Sequence, residues 1–222
     1  MASVFPKPVV ATFPSHTGRH VIGGKPSTPG AVCPNCELPF TRFFYLDVTD
    51  PNLGDHQTNL SGLELLYCWQ CPVAQSEFSY QFGEFKLLKC ATGPKEDDFP
   101  YEDYPRWFPE ARVDFQPMPA QLAHQIEQYQ DLSENEPDRI NKFFTFSERD
   151  HVSTPRHQLG GTPFRFENSV PTCPLCSRQM QFLMTVANSS TDPPEFVGND
   201  YVQVVYHLCV TCSVVTATHE CD

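Results

Sequence analysis

Residues 19–36 read RHVIGGKPSTPGAVCPNC, and residues 156–176 read RHQLGGTPFRFENSVPTCPLC. Arg-His, Gly-Gly-x-Pro and Cys-Pro-x-Cys occur in both stretches, in the same order. Arg19, His20, Gly23, Gly24 and Pro26 match Arg156, His157, Gly160, Gly161 and Pro163 at a constant offset of 137. Cys33, Pro34 and Cys36 match Cys173, Pro174 and Cys176 at an offset of 140, and Cys68 and Cys71 match Cys209 and Cys212 at 141. Small loop insertions explain the drift. The pattern predicts a duplication, two copies of one unit, rather than a solenoid, whose periods are much shorter.

Eight of the ten cysteines fall in four Cys-x-x-Cys pairs, and the gap between pairs is 31 residues in the first half and 32 in the second. Two such pairs brought together supply four thiolates, the donor set and tetrahedral geometry of a closed Zn²⁺ site. The spacing therefore predicts two Cys₄ zinc sites: Cys33, Cys36, Cys68 and Cys71 in one, Cys173, Cys176, Cys209 and Cys212 in the other. With no open coordination position, such zinc is structural and does not activate water. Three readings compete. Disulfides need an oxidising compartment, and thioredoxin-type chemistry needs one pair at a helix N-terminus. Sites that have lost their metal are the third, because the glycine common after the second Cys of a zinc knuckle is replaced by Glu37, Pro72, Ser177 and Ser213. Cys90 and Cys221 are left over and read as buried free thiols.

A chain of 222 residues can bury one substantial core or two small ones. It is 40% hydrophobic and contains 22 prolines, which implies a globular body with many turns and few long helices. No run is apolar for the 18 or so residues of a membrane span, and MASVFPKPVVATFP lacks the apolar region of a signal peptide. The expectation is a cytoplasmic protein with no membrane partner. The formal net charge is −12, with no Lys/Arg cluster. Nucleic-acid binding runs on phosphate neutralisation, so this balance argues against it and suits a basic polypeptide better. Each filled Cys₄ site adds two negative charges, which takes the total to about −16.

In each copy a short aromatic and β-branched run follows the first Cys pair, TRFFYLDV at 41–48 and MQFLMTVA at 180–187. Another reaches the second pair, LELLYCW at 63–69 and YVQVVYHLC at 201–209. These read as strands, with more at 78–82, 85–88, 143–146 and 163–166. Between the copies lies an acidic, aromatic and Pro-rich connecting segment, 72–155. It holds the one clear helix, 119–132, where Leu122, Ile126 and Tyr129 share a face after Pro119. The expected fold is α+β, mostly antiparallel β with one helix: a first repeat at 19–71 and a second at 156–222, two zinc-stapled β units in one compact, intertwined domain.

The Gly-Gly pairs allow positive φ and close backbone approach, and no phosphate-loop motif accompanies them. Two readings stay open for them. Either they shape a structural turn beside packed histidines, or His20, Gly23, Gly24, His157, Gly160 and Gly161 line a groove for a client peptide. No nucleophile, base and orienter fall in a recognisable pattern, so no enzyme is expected.

The order His-x-[Leu/Ile]-Gly-Gly-x-Pro, Cys-Pro-x-Cys, Met-x-Phe-Leu and a second Cys-x-x-Cys resembles the bacterial YwqG-like family. It is also similar to the eukaryotic programmed cell death 2 family. The match is fullest at His157, Gly160, Gly161 and Pro163, then Cys173, Pro174 and Cys176, then Met180, Phe182 and Leu183. The first half has Phe40-Thr-Arg-Phe43 where the second has Met-x-Phe-Leu, and Ser27 where the second has Phe164. The resemblance implies a duplicated α+β body without enzymatic activity. From the eukaryotic branch it implies a chaperone that holds a ribosomal protein. From the bacterial branch it implies an immunity or inhibitor protein of a toxin system, and an unrecognised enzyme stands third.

Overall fold

Short β-branched and aromatic runs bounded by turn residues form strands because their side chains fit a pleated, half-buried surface. The computed structural model describes residues 3–12, 15–53, 61–69, 77–90, 107–131, 157–165, 169–187 and 202–221. Within them lie strands β1 (Val9–Thr12), β2 (His20–Ile22), β3 (Thr41–Leu46), β4 (Leu63–Tyr67), β5 (Phe78–Gln81), β6 (Lys86–Lys89) and β7 (Ala111–Pro117). Helix α1 (Ala120–Asp131) is followed by β8 (Gln158–Leu159), β9 (Gln181–Ala187), β10 (Val202–Cys209) and β11 (Val214–Cys221). The eleven strands form one sheet in the order β4-β3-β2-β7-β1-β8-β9-β10-β11-β5-β6. Every pairing between named strands is antiparallel, so the fold is mostly antiparallel sheet with one helix.

The strand order is not sequential, and the Gly-Gly turns explain how. β2-β3-β4 and β8-β9-β10 are triplets of adjacent strands, one in each half of the chain. Each takes its next strand from elsewhere in the chain. β7 joins β2 through His20↔Val113, whereas the N-terminal β1 joins β8 through Val9↔Leu159. β1 and β7 then pair with each other at the centre, Ala11 opposite Phe115. Where each added strand enters, a Gly-Gly turn meets its backbone. Gly24 N–H donates to the Phe108 carbonyl and Gly161 N–H to the Phe5 carbonyl, both at 2.9 Å. Gly23 and Gly160 have φ of 68° and 71°. A Cβ on Gly23 would lie 2.3 Å from the Pro109 oxygen, and one on Gly160 2.3 Å from the Phe5 oxygen. Only glycine tolerates both conditions.

The main core is aromatic. Phe40, Phe43, Phe44, Tyr67, Phe78 and Tyr80 are fully buried. Phe43 meets Tyr67, Trp69 and Phe108 edge-on at centroid distances of 5.7, 5.8 and 5.3 Å. Such edge-to-face pairs are each worth about 0.5–1.5 kcal/mol beyond the area they bury. Tyr80 also makes polar contacts. Leu66 N–H donates to its hydroxyl oxygen at 3.0 Å, and the hydroxyl donates to the Glu64 carbonyl at 2.8 Å. These two backbone groups belong to β4, the first strand in the order, so a residue of β5 from near the opposite end blunts that edge.

α1 buries Leu122, Ile126 and Tyr129 against Met118 and Phe164, the face its periodicity predicts. Leu132 and residues 143–146 lie outside the described residues. The run PFRF at 163–166 is not a strand through its described part, residues 163–165. Side chains satisfy this backbone instead of a neighbouring strand: Phe164 N–H donates to Gln158 Oε1, and the Arg165 carbonyl accepts from Gln130. Arg165 itself is buried, with its Nε and Nη2 each 2.9 Å from Glu220 Oε1. Gln203 bonds the other Glu220 oxygen at 2.7 Å. The connecting segment supplies β5, β6 and β7 to the same sheet as the strands of the two halves, and α1 to a separate, smaller hydrophobic cluster.

Candidate metal centres

Each first Cys pair sits on a tight turn that leads into a strand. In the second half, Ser177 N–H donates to the Cys173 carbonyl and Cys173 N–H to the Arg178 carbonyl, both at 2.8 Å. In the first half, Glu37 N–H donates to the Cys33 carbonyl at 2.9 Å and Cys33 N–H to the Leu38 carbonyl at 2.8 Å. Bridges Val32↔Pro39 and Thr172↔Gln179 close the two turns in the same register. The second pair of the second half, Cys209 and Cys212, occupies the turn of the β10–β11 hairpin, where Cys209 faces Val214. Glu37, Ser177 and Ser213 have φ of 59°, 57° and 55°. The left-handed position usually given to glycine is therefore kept without it, at the modest strain polar residues tolerate.

These turns bring thiols together. The sulfurs of Cys173, Cys176, Cys209 and Cys212 lie within 4.8 Å of one another, as do those of Cys33, Cys36 and Cys68. Cys71, the fourth ligand expected for the first cluster, lies outside the described residues. Within the clusters the Cys36 and Cys68 sulfurs stand 3.8 Å apart, and so do those of Cys176 and Cys209. The cysteines of both clusters are thiols rather than disulfides. Both clusters could hold a metal ion.

Electrostatics show why a cation suits them. Arg178 bonds the Cys176 sulfur and lowers its pKa to about 6. Cys212 is pushed up to about 12, first by the neighbouring Cys176 sulfur and then by burial. Cys33 is held well below the thiol range by hydrogen bonds from the thiols of Cys36, Cys68 and Cys90. Contacting sulfurs thus cannot all ionise unaided: one keeps its charge while a neighbour keeps its proton. A divalent cation removes that conflict.

The histidines belong to the interior. His20 and His157 are both fully buried, so neither offers its ring to an outside polypeptide, in contrast to the groove reading. Asp47 N–H donates to His20 Nδ1 at 3.1 Å, which places the ring proton on Nε2, 2.9 Å from Asp50 Oδ2. Burial lowers the His20 pKa, and the Asp50 hydrogen bond opposes that shift. Gly23 and Gly24 face Phe108, Pro109 and Glu110, and Gly160 faces Phe5. Gly161 borders a groove of about 310 Å³ between the N-terminal segment and α1, lined also by Pro6, Pro8, Met118 and Glu127.

Among the described residues, no helix is long and apolar enough to cross a membrane. No family model, curated protein or solved structure matches the chain.

Proposed function

We propose that each thiol cluster holds one structural Zn²⁺ and that the chain is a duplicated, non-enzymatic, cytoplasmic protein that binds a basic polypeptide, as a chaperone or adaptor does. The sulfur separations carry the zinc assignment. Tetrahedral zinc with Zn–S bonds of about 2.3 Å requires sulfurs about 3.8 Å apart. One pair in each cluster already stands at 3.8 Å. Two turns with matching hydrogen bonds, bridges and glycine contacts support descent from one unit. A closed four-thiolate site leaves no position for an activated water, which supports a structural role.

The binding reading rests on charge and on two side chains. The chain carries −12 before any metal is bound. Among the described residues, the exposed large hydrophobics are Val32 and Leu175, at 44% and 52% exposure. Val32 precedes Cys33, and Leu175 lies between Cys173 and Cys176. Apolar tips on rigid metal turns, set in an acidic molecule, suit a partner that is basic and partly apolar. The order of motifs that resembles the YwqG-like and programmed cell death 2 families fits the same reading.

The test is calorimetric titration of the metal-loaded chain with an Arg-rich peptide containing leucines, against an acidic peptide of equal length. Binding of the basic peptide should weaken several-fold when Val32→Asp and Leu175→Asp are combined, and should weaken with salt. Equal affinity for both peptides would reject the proposal. Metal content is measured separately, with two Zn²⁺ per chain expected by native mass spectrometry.

A further inference from the structure

The two Gly-Gly turns are finished differently. In the first half an arginine closes the turn. Arg42 Nε donates to the Gly23 carbonyl at 2.7 Å, and its Nη2 donates to Glu110 Oε2 at 2.8 Å. That ion pair fills the space beside Gly24, where a Cβ would strike both Arg42 Nη2 and Glu110 Oε2. In the second half the residue matched to Arg42 is Phe182, which is fully buried. Gln158 Nε2 serves the Gly160 carbonyl instead, at 2.9 Å, and among the described residues no arginine bonds this turn. Beside Gly161 stand the ring of Pro8 and an open groove of about 310 Å³.

This groove has rigid walls and one sign of charge. Pro6 and Pro8 line it, and their rings fix φ. Met118 N–H donates to the Pro8 carbonyl at 3.1 Å, which ties that wall to the start of α1. Ala123 and Glu127 line it from α1, one turn apart on the same face. Leu122 and Ile126 hold the helix in place from its buried side. Glu127 is the only ionisable residue of the lining; it is exposed and has no hydrogen bond or ion pair among the described residues. The lining has no cationic side chain to meet an anion, and no aromatic ring to cage a quaternary ammonium. Apolar walls beside a lone carboxylate suit an aliphatic stem that ends in a cation. The volume lies at the low end of the about 300–1,000 Å³ of ligand pockets, the scale of a side chain and its neighbours.

We propose that this groove takes an arginine side chain of the basic partner, with its methylenes along Pro6, Pro8 and Met118 and its guanidinium on Glu127. This rests on the reading that the chain binds a basic polypeptide, and it adds a contact to Val32 and Leu175. The first half shows the same chemistry satisfied from within, where Arg42 meets Glu110. The second half offers the carboxylate and leaves the arginine to be supplied. Arginine is favoured over lysine because its planar fork bonds both carboxylate oxygens and it sheds water more easily. The prolines and the packed helix need little ordering on binding, which limits the entropic cost.

The experiment titrates the metal-loaded full chain calorimetrically with two peptides of equal charge. One is a leucine-containing lysine peptide with a single central arginine, and its twin has lysine in that place. The wild type should bind the arginine peptide several-fold more tightly than the twin. Glu127→Gln should erase that preference. Glu84→Gln, which removes the same charge from an exposed residue between β5 and β6, should keep it. Amide shifts of Ala123 and Gly161 in the wild type should move with the arginine peptide, a readout independent of variant folding. The proposal is overturned if the wild type binds the twin as tightly, if Glu127→Gln keeps the preference, if Glu84→Gln erases it, or if those amides stay still. A wild type that binds neither peptide overturns the basic-partner reading itself and the groove with it.

Discussion

Gly160→Ala tests how the N-terminal strand is docked. At φ of 71° an alanine incurs left-handed strain, worth roughly 1–2 kcal/mol. Its Cβ would stand 2.3 Å from the Phe5 oxygen and 2.7 Å from Phe5 Cβ, contacts a backbone cannot relieve by rotating a side chain. The segment must shift, and the hydrogen bonds Val4 N–H to Phe182 O and Gly161 N–H to Phe5 O, both 2.9 Å, go with it. At about 0.5–1.5 kcal/mol net for each, their loss adds about 1–3 kcal/mol. The total is about 2–5 kcal/mol. Gly30→Ala supplies the control: φ is 73°, yet nothing lies within 4 Å of where its Cβ would stand, so strain alone should appear. Urea unfolding of the metal-loaded protein reads both through the shift in midpoint at constant slope. Gly23→Ala, whose Cβ meets the Pro109 oxygen at 2.3 Å, should behave like Gly160→Ala. If Gly160→Ala costs no more than Gly30→Ala, the close-approach argument is wrong.

Three further outcomes are expected. Tyr80→Phe leaves Leu66 N–H and the Glu64 carbonyl without their partner and should cost about 1–3 kcal/mol in the same unfolding assay; a neutral result would show that the β4 edge is satisfied otherwise. Glu220→Gln or Arg165→Met alone breaks a buried pair and should cost about 3–5 kcal/mol. The double variant should cost less than the sum, and strict additivity would mean that the two groups are not coupled. Burial, with the Arg165 charge adding to it, pushes His207 down to about 3. An unfolded histidine titrates near about 6.5, so between these values the unfolded chain binds a proton that the folded chain refuses. Stability is thus full above about pH 6.5 and falls on acidification, by up to about 1.4 kcal/mol per pH unit from this one group. His207→Leu should flatten the decline between about pH 6.5 and 5 relative to wild type; parallel profiles would contradict the assignment.

The parts of this protein written locally are legible in its residues. The Cys-x-x-Cys spacings predict two thiol clusters, and the structure brings seven of the eight expected ligands into two groups. Alternating or aromatic runs place β3, β4, β9 and β10, and the 4-and-3 spacing of Leu122, Ile126 and Tyr129 places α1 and its buried face. β1, β2, β7, β8 and β11 carry weaker signals. β2 and β8 are three and two residues long, and β11 is buried on both faces, which erases alternation.

What sequence alone determined is therefore the chemistry of the turns: which residues offer sulfur and where glycine must stand. Tertiary structure decided which distant segments meet. It sent β1 to the second half and β7 to the first, sank both histidines into the core, and paired β5 with β11. The physical reason is one of range. Turn geometry and ligand spacing are set by covalent constraints within a few residues, whereas strand partnership is set by burial summed over segments about 100 residues apart, which no local window contains.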